Sequence, residues 1–550
     1  MRQILKDIFY ILTQKEKRWF IRLAIMDITI SILDIGFLVL LLFIVSLYSQ
    51  QQPAKYDFFN MLLERSPLLP IAIYFILFTL KNCFAFMVLR MQNHFVYSVS
   101  SRLSKQKLSD YLDGEYIDYV KTDSAVYLRS ISQQPLEFGN YILRGIQQIM
   151  SQSILVILTI IPIIIYNALL FPLLLLILVP PIILVGIIMR RKLNTIRLSI
   201  KSTSEQAGQH LKEALAGFVE SNMYEKNNFF LERYDRFQTR LNNYIAKHLA
   251  IQNLPSRLIE IFAIFGLFIL IIINSYGTNS KELNIIMIGA FVAAAYKIIP
   301  GIVNILNSIG QVKIYLFTLS GLVENKYFTD KNSNDKIGIK SIRFANIFFK
   351  YEQNYVLNDF SIQINEGDFV GIAGPSGNGK STFVNLLLGF LTPDSGEIIL
   401  NGSSTTAVAR SQFRHSISYV KQQSFLIHDS ILKNITLDEN EFDADKLKEV
   451  MEITGVDKLI NKHAEGIHTM IQEEGRNFSG GQRQRIIFAR ALYKDFDMII
   501  LDEPFNEMDE DAEMLLLEHL KKLSNNGKTV ILITHNKNGL SFCNKKIMMG

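Results

Sequence analysis

The chain is 550 residues long and 49% hydrophobic, with a mean hydropathy of +0.20 and a formal net charge of +6. That length exceeds one ordinary domain, and that hydrophobicity exceeds what soluble proteins carry, so part of the chain belongs in a membrane. The basic residues sit beside apolar runs, as at the cytosolic ends of membrane spans, which points away from nucleic acid, and two cysteines (Cys83 and Cys543) make no disulfide framework.

The opening stretch MRQILKDIFYILTQKEKRWFIR has no small-residue cleavage site, and the apolar run behind it is too long for a signal-peptide core. It reads as a cytosolic lead-in to an uncleaved span. Crossing a bilayer takes about 20 apolar residues. Six runs reach or approach that length, over about 23–48, 68–89, 146–166, 168–189, 257–275 and 284–306. Only a short "NA" separates the third from the fourth, so their turn belongs at the far membrane surface. The segments before the first span, between the second and third, and between the fourth and fifth are rich in Lys and Arg. The others are short and poor in them, so both termini should be cytosolic.

The two long connections, near 91–147 and 190–256, are polar but helical in pattern: Leu211, Leu215 and Phe218 recur at three- to four-residue spacing. Helices should therefore extend well past the membrane. The informative charges in the spans are Asp27 and Asp34, seven apart on one face of the first, Lys81 in the second and Lys297 in the sixth. A central charge costs roughly 2.5–3.5 kcal/mol on insertion scales, so each should face protein or water. Two readings follow: pairing between helices, or a polar cavity for a substrate headgroup.

A charged, Asn- and Asp-rich linker over 323–340 ends this half, residues 1–322. From 341 to 550 the pattern becomes strand, turn and helix. "SIRFANIFFKY" alternates apolar and polar residues, as a half-buried strand does. "GDFVGIAGPSGNGKSTFVNLLLGF" is a strand, a glycine loop and an amphipathic helix. Its loop fits G-x-x-x-x-G-K-S/T, running Gly374, Pro375, Ser376, Gly377, Asn378, Gly379, Lys380, Ser381, Thr382. In that motif the backbone amides close round phosphates, Lys380 reaches the terminal phosphates and Ser381 ligates Mg²⁺. A second strand, "DMIILDEP", ends in Asp502, placed to hold Mg²⁺, and Glu503, placed to polarise an attacking water. A third, "TVILITH", delivers His535 at its carboxyl end, where open α/β sheets bind ligands.

Taken in this order, residues 341–550 resemble the nucleotide-binding domain of the ATP-binding cassette family. The resemblance implies further roles. Tyr351 matches the aromatic that stacks on adenine, and Gln422 the glutamine that senses Mg²⁺ and the membrane domain. "FSGGQ" matches the family signature through Ser479, Gly480, Gly481 and Gln482, with Phe478 in place of the usual Leu. Glu503, His535 and Lys380 become the catalytic set; Ser381, Gln422 and Asp502 surround the metal. In this family two cassettes sandwich two ATP molecules, each held by one chain's glycine loop and the facing chain's signature, so a homodimer, or pairing with a related half-transporter, is implied. The chain departs from the family in "PFNEMD", where Asp509 keeps its place but Asn506 and Glu507 replace small residues.

With six spans ahead of it, the whole resembles an exporter-type half-transporter: an all-α transmembrane domain followed by an α/β P-loop ATPase, multi-pass in the inner cell membrane. Short transverse helices are expected near Tyr116–Val120 and Val219–Glu225. "AAAYKIIPGIVNI" and the N-terminal lead-in also resemble bacterial flippases for lipid-linked oligosaccharides. The expectation is thus an ATP- and Mg²⁺-dependent exporter or flippase of an amphipathic or lipid-linked substrate. The alternatives are a multidrug or unprocessed-peptide exporter and an ATP-gated channel or regulatory subunit.

Overall fold

A computed structural model describes residues 2–49, 68–114, 116–166, 170–276, 285–323, 338–351, 353–375, 377–423, 425–439 and 441–549. The turn between the third and fourth spans, most of the linker, Ser376 and the side chain of Lys297 lie outside the described residues. The chain divides into two compact units: Met1–Gly114 with Tyr119–Thr329, and Glu115–Asp118 with Asp330–Gly550.

The first unit is helical. Among the described residues six helices are long: Gln14–Ser49, Leu69–Leu112, Arg144–Tyr166, Leu170–Ala216, Asn227–Tyr276 and Ile285–Ile314. At 1.5 Å per residue the 50-residue helix runs about 75 Å, against roughly 30 Å of hydrocarbon core. Its polar end therefore continues far beyond any membrane. Among the described residues, Gln14–Leu41, Leu69–Leu112 and Ser124–Ile161 are long and apolar enough to cross a bilayer, and Ile298–Ile314 is a shorter apolar helix.

Packing in this unit follows the apolar pattern. The N-terminal helix Arg2–Ile11 buries Ile8 and Ile11 in a cluster with Leu23, Val99, Phe138, Ile142 and Ile314. Two π-helical turns, Arg129–Gln133 and Phe138–Leu143, interrupt the approach to the third long helix, and Tyr141 stacks on Tyr315 at 3.8 Å. The expected transverse helices fall on Tyr116–Lys121 and Phe218–Met223. Lys81 and Asp34 form an interhelical pair: Lys81 Nζ lies 2.5 Å from Asp34 Oδ1. Asp27 instead accepts a hydrogen bond from Gln92 Nε2 at 2.7 Å. For Asp34 and Lys81 the pairing reading is thus the one realised.

The second unit holds two sheets. β1 (Ser341–Lys350), β2 (Tyr355–Asn365), β4 (Ser395–Leu400) and β5 (Ser403–Ser404) form an antiparallel sheet in the order β2-β1-β4-β5. β3 (Phe369–Ala373), β6 (Ile417–Val420), β7 (Met498–Asp502), β8 (Thr529–Ile533) and β9 (Lys545–Met548) form a parallel sheet in the order β6-β7-β8-β3-β9. Every residue of β3, β7 and β8 is buried, as strands covered on both faces require. Adjacent β7, β8 and β3 therefore deliver their carboxyl ends side by side, which positions the site. The helices Ile431–Thr436, Ala444–Thr454 and Val456–Ile460 pack against a helix at Gly480–Tyr493. Within this same unit Tyr116 sets its ring 5.0 Å from that of Phe390, whose face carries the Arg414 guanidinium at 4.1 Å.

Candidate nucleotide site

The glycine loop leaves the buried end of β3 and closes on the helix Lys380–Leu387. Gly379 caps that helix at φ +84, and no side chain caps it. A Cβ at Gly379 would press on Leu357 Cδ2 at 2.9 Å and Val356 O at 3.1 Å, so the position excludes larger residues on both conformation and space. The first-turn amides of Lys380, Ser381 and Thr382 are left for a ligand. Lys380 Nζ donates to Gly374 O at 2.5 Å and Pro375 O at 3.3 Å, folding back over the loop. Asn378 anchors the loop by donating from Nδ2 to Met549 O at 3.2 Å.

The acidic pair sits one strand over from β8. Asp502 is buried at the end of β7, and Tyr419, at the end of β6, hydrogen-bonds its carboxylate. Burial, and then the charge of Glu503, push the Asp502 carboxyl above its usual range, while Lys380, Lys421 and Tyr419 pull it down. Burial and the same carboxylate push the Tyr419 hydroxyl well up. A cation between Ser381 and Asp502 would relieve that carboxylate.

Glu503 has a left-handed backbone at φ 50, costly for a residue with a side chain, and its amide donates to Ile533 O at 2.9 Å. That bend turns the chain sharply at the strand end and brings Glu503 Oε1 within 3.3 Å of His535 Nε2. The same nitrogen lies 3.0 Å from Lys380 Nζ. His535 Nε2 can donate to Glu503 or accept from Lys380, but only one at a time, so its tautomer selects between base and phosphate loop. Tyr351 is exposed, its ring edge-on to Phe349 at 5.0 Å and its hydroxyl 3.4 Å from Thr382 Oγ1. Gln422 is exposed on the turn after β6.

The signature turn belongs to a different environment. Ser479 caps the helix Gly480–Tyr493 in a reciprocal box: its Oγ accepts from Gln482 N at 3.4 Å, and Gln482 Oε1 accepts from Ser479 N at 2.9 Å. Phe478 is buried in the core, its ring 5.4 Å from His463, which accounts for an aromatic at that position. Glu507 lies over the turn: a Cβ at Gly480 would meet its Oε2 at 2.2 Å, and one at Gly481 its carbonyl at 2.7 Å. Arg483 holds that carboxylate at 3.5 Å. Asp509 caps the next helix, Glu510–Asn525, and pairs with Arg485 at 2.7 Å. Among the described residues no hydrogen bond or ion pair joins Ser479, Gly480, Gly481 or Gln482 to Lys380, Asp502, Glu503 or His535. Sequence reasoning missed Tyr419 and Lys421. Their place at a strand end beside β7 was the available signal.

An ABC transporter family model matches residues 357–506, and an ABC transporter transmembrane region model matches residues 139–296. A putative export ATP-binding/permease protein of Rickettsia typhi is 37% identical over 39% of this chain and 37% of its own length. A glutathione/L-cysteine transport system ATP-binding/permease protein of Bacillus subtilis is 30% identical over 60% of this chain and 56% of its own. An ATP-dependent lipid A-core flippase of Ralstonia nicotianae is 26% identical over 63% of this chain and 60% of its own. The chain thus spans between about a third and three fifths of the curated relatives it matches. A bacterial Atm1-family ABC exporter solved with ATP bound superposes with a TM-score of 0.82 over 96% of this chain and 93% of that one, at 17% identity, and so shares its fold. The chain belongs to the ABC transporters, its transmembrane region preceding its ATP-binding domain.

Proposed function

We propose that this protein is an ATP-hydrolysing exporter or flippase that moves an amphipathic or lipid-linked substrate out of the cytosolic leaflet of the cell membrane, both termini being cytosolic. The observation that carries it is the Lys380–His535–Glu503 constellation, with spacings of 3.0 and 3.3 Å at the ends of neighbouring strands. A chain built only to bind nucleotide has no need of a strained turn that aims a carboxylate there. Bound Mg-ATP would supply the phosphoryl group that is transferred to water. The loop amides from Gly377 to Thr382 and Lys380 would hold its phosphates, Ser381 and Asp502 its cation, and Tyr351 its base. Glu503 takes the proton of the attacking water, and His535 orients Glu503.

The signature residues serve a nucleotide held by a second chain, either a copy of this one or a related half-transporter. Their separation from the phosphate loop within one chain supports this. The relatives' names cover a lipid A-core, glutathione and cysteine, so the lipid reading rests on the lead-in and sixth-span resemblances. Reconstituting the purified chain in nanodiscs and measuring phosphate release tests the proposal. Mg²⁺-dependent ATPase stimulated by lipid-linked saccharide is expected. ATP binding without turnover would favour a gated or regulatory subunit.

A further inference from the structure

The first unit contains a polar cavity that nucleotide chemistry does not use. Its volume is about 230 Å³, and Asp27 and Gln92 meet there with Arg144, Gln147, Gln148 and Gln152 of the third long helix. Gln92 Nε2 donates to Asp27 Oδ2 at 2.7 Å. Gln147 is only 5% exposed, yet its Nε2 has no hydrogen-bond partner among the described residues. A buried amide N–H without a partner is costly, and an apolar side chain of the same size would avoid that cost. Its place in the wall of a polar cavity supplies the reason to keep it.

The surroundings define the occupant. Glutamine amides both donate and accept, an ionised Asp27 only accepts, and the Gln147 N–H needs an acceptor. An ammonium group only donates. A phosphate only accepts: Arg144 would draw it, but it would meet the charge of Asp27 and leave the glutamine carbonyls without a donor. Hydroxyl groups do both. At about 30 Å³ per water, 230 Å³ holds roughly eight waters, less than a drug-sized pocket and close to one ring bearing several hydroxyls. Asp27 lies near the start of the first span, Gln92 just past the end of the second, and Arg144–Gln152 lead into the third. With cytosolic termini, this is the depth of the cytosolic headgroups.

We propose that this cavity binds the hydroxyl-rich headgroup of a lipid, one sugar ring in size, at the cytosolic leaflet. Its part in transport rests on the exporter reading; binding itself does not. The test uses the full chain in phospholipid nanodiscs free of glycolipid. Octyl glucoside below its micelle concentration, octyl phosphate and octylammonium are the probes, and direct binding and melting temperature are the readouts. The glucoside should bind saturably, and the other two at least about tenfold more weakly. Gln147→Met should weaken glucoside binding about tenfold or more while leaving unchanged, or raising, the melting temperature of the empty protein. Asp27→Asn, which keeps an acceptor for Gln92, should weaken it by a smaller factor. Unchanged binding in Gln147→Met, or tighter binding of the phosphate or ammonium probe, would overturn the assignment. Glucoside binding without any change in ATPase would leave the site standing and count against the exporter reading. Glucoside-stimulated ATPase without binding at this cavity would do the reverse.

Discussion

Two glycine-bearing turns in the second unit each open a helix, and they are built differently. The phosphate loop ends in Gly379 at φ +84, uncapped by any side chain, with Lys380, His535 and Glu503 within 3.3 Å steps of one another. The signature turn begins at Ser479 with an extended backbone, closes its own capping box through Gln482, and lies under Glu507. Both present amides to an anion. Only the first has Glu503, proposed as the base, and Asp502, proposed to hold the metal, beside it. A helix start with its own cap and no base can hold charge but cannot activate water. The difference points to one whole hydrolytic constellation per chain, plus a second turn shaped for a phosphate that the chain does not itself carry.

The largest expected effect tests the first turn. Glu503→Gln should lower turnover by about 10²-fold or more while nucleotide binding persists, read by phosphate release beside binding of a labelled nucleotide. Near-normal hydrolysis would remove Glu503 from the role. A second change tests how tightly the other turn is built. Gly481→Ala places a Cβ 2.7 Å from the Glu507 carbonyl and should cost about 1–3 kcal/mol, seen as a lower melting temperature of the full chain. An unchanged melting temperature would mean the turn is looser than its geometry. The smallest effect concerns charge. Glu507→Gln removes a carboxylate from a helix start and should cost about 0.3–1 kcal/mol of stability. By the same amount it should ease phosphate binding there, lowering the half-saturating ATP concentration about two- to fivefold. A higher half-saturating concentration would show that Glu507 assists the nucleotide.

Much of this arrangement was legible before the structure. The loop from Gly374 to Thr382 carries a spacing whose chemistry is local, and apolar runs such as "MIILD" and "TVILI" between turn signals read as strands, which the structure places in the parallel sheet. Other features were not legible because they depend on approach through space. No residue type announces that Glu503 takes a left-handed backbone, that Tyr419 bonds Asp502, or that Glu507 covers Gly480. In the membrane half, hydropathy located the long helices but left the charged residues open between two readings. Asp34 and Lys81 proved to be partners, while Asp27 turned to Gln92 and a polar cavity. Sequence distance carries no sign of either contact, since 47 residues separate the first pair and 65 the second.

The central claim is that the signature turn serves the nucleotide of another chain, and mixed dimers test it most directly. One protomer carries Ser479→Arg, which blocks the turn, and its partner carries Lys380→Ala, which cripples the phosphate loop. If each site combines one protomer's loop with the other's signature, both lesions fall in one site and the second stays whole. With both changes on one protomer opposite a wild-type chain, each site is damaged once. The readout is nucleotide occluded with a phosphate mimic, because coupled sites can stall together in turnover. The account predicts occlusion in the singly substituted pair and none in the doubly substituted-plus-wild-type pair. Occlusion only in the latter would show that the signature serves its own chain.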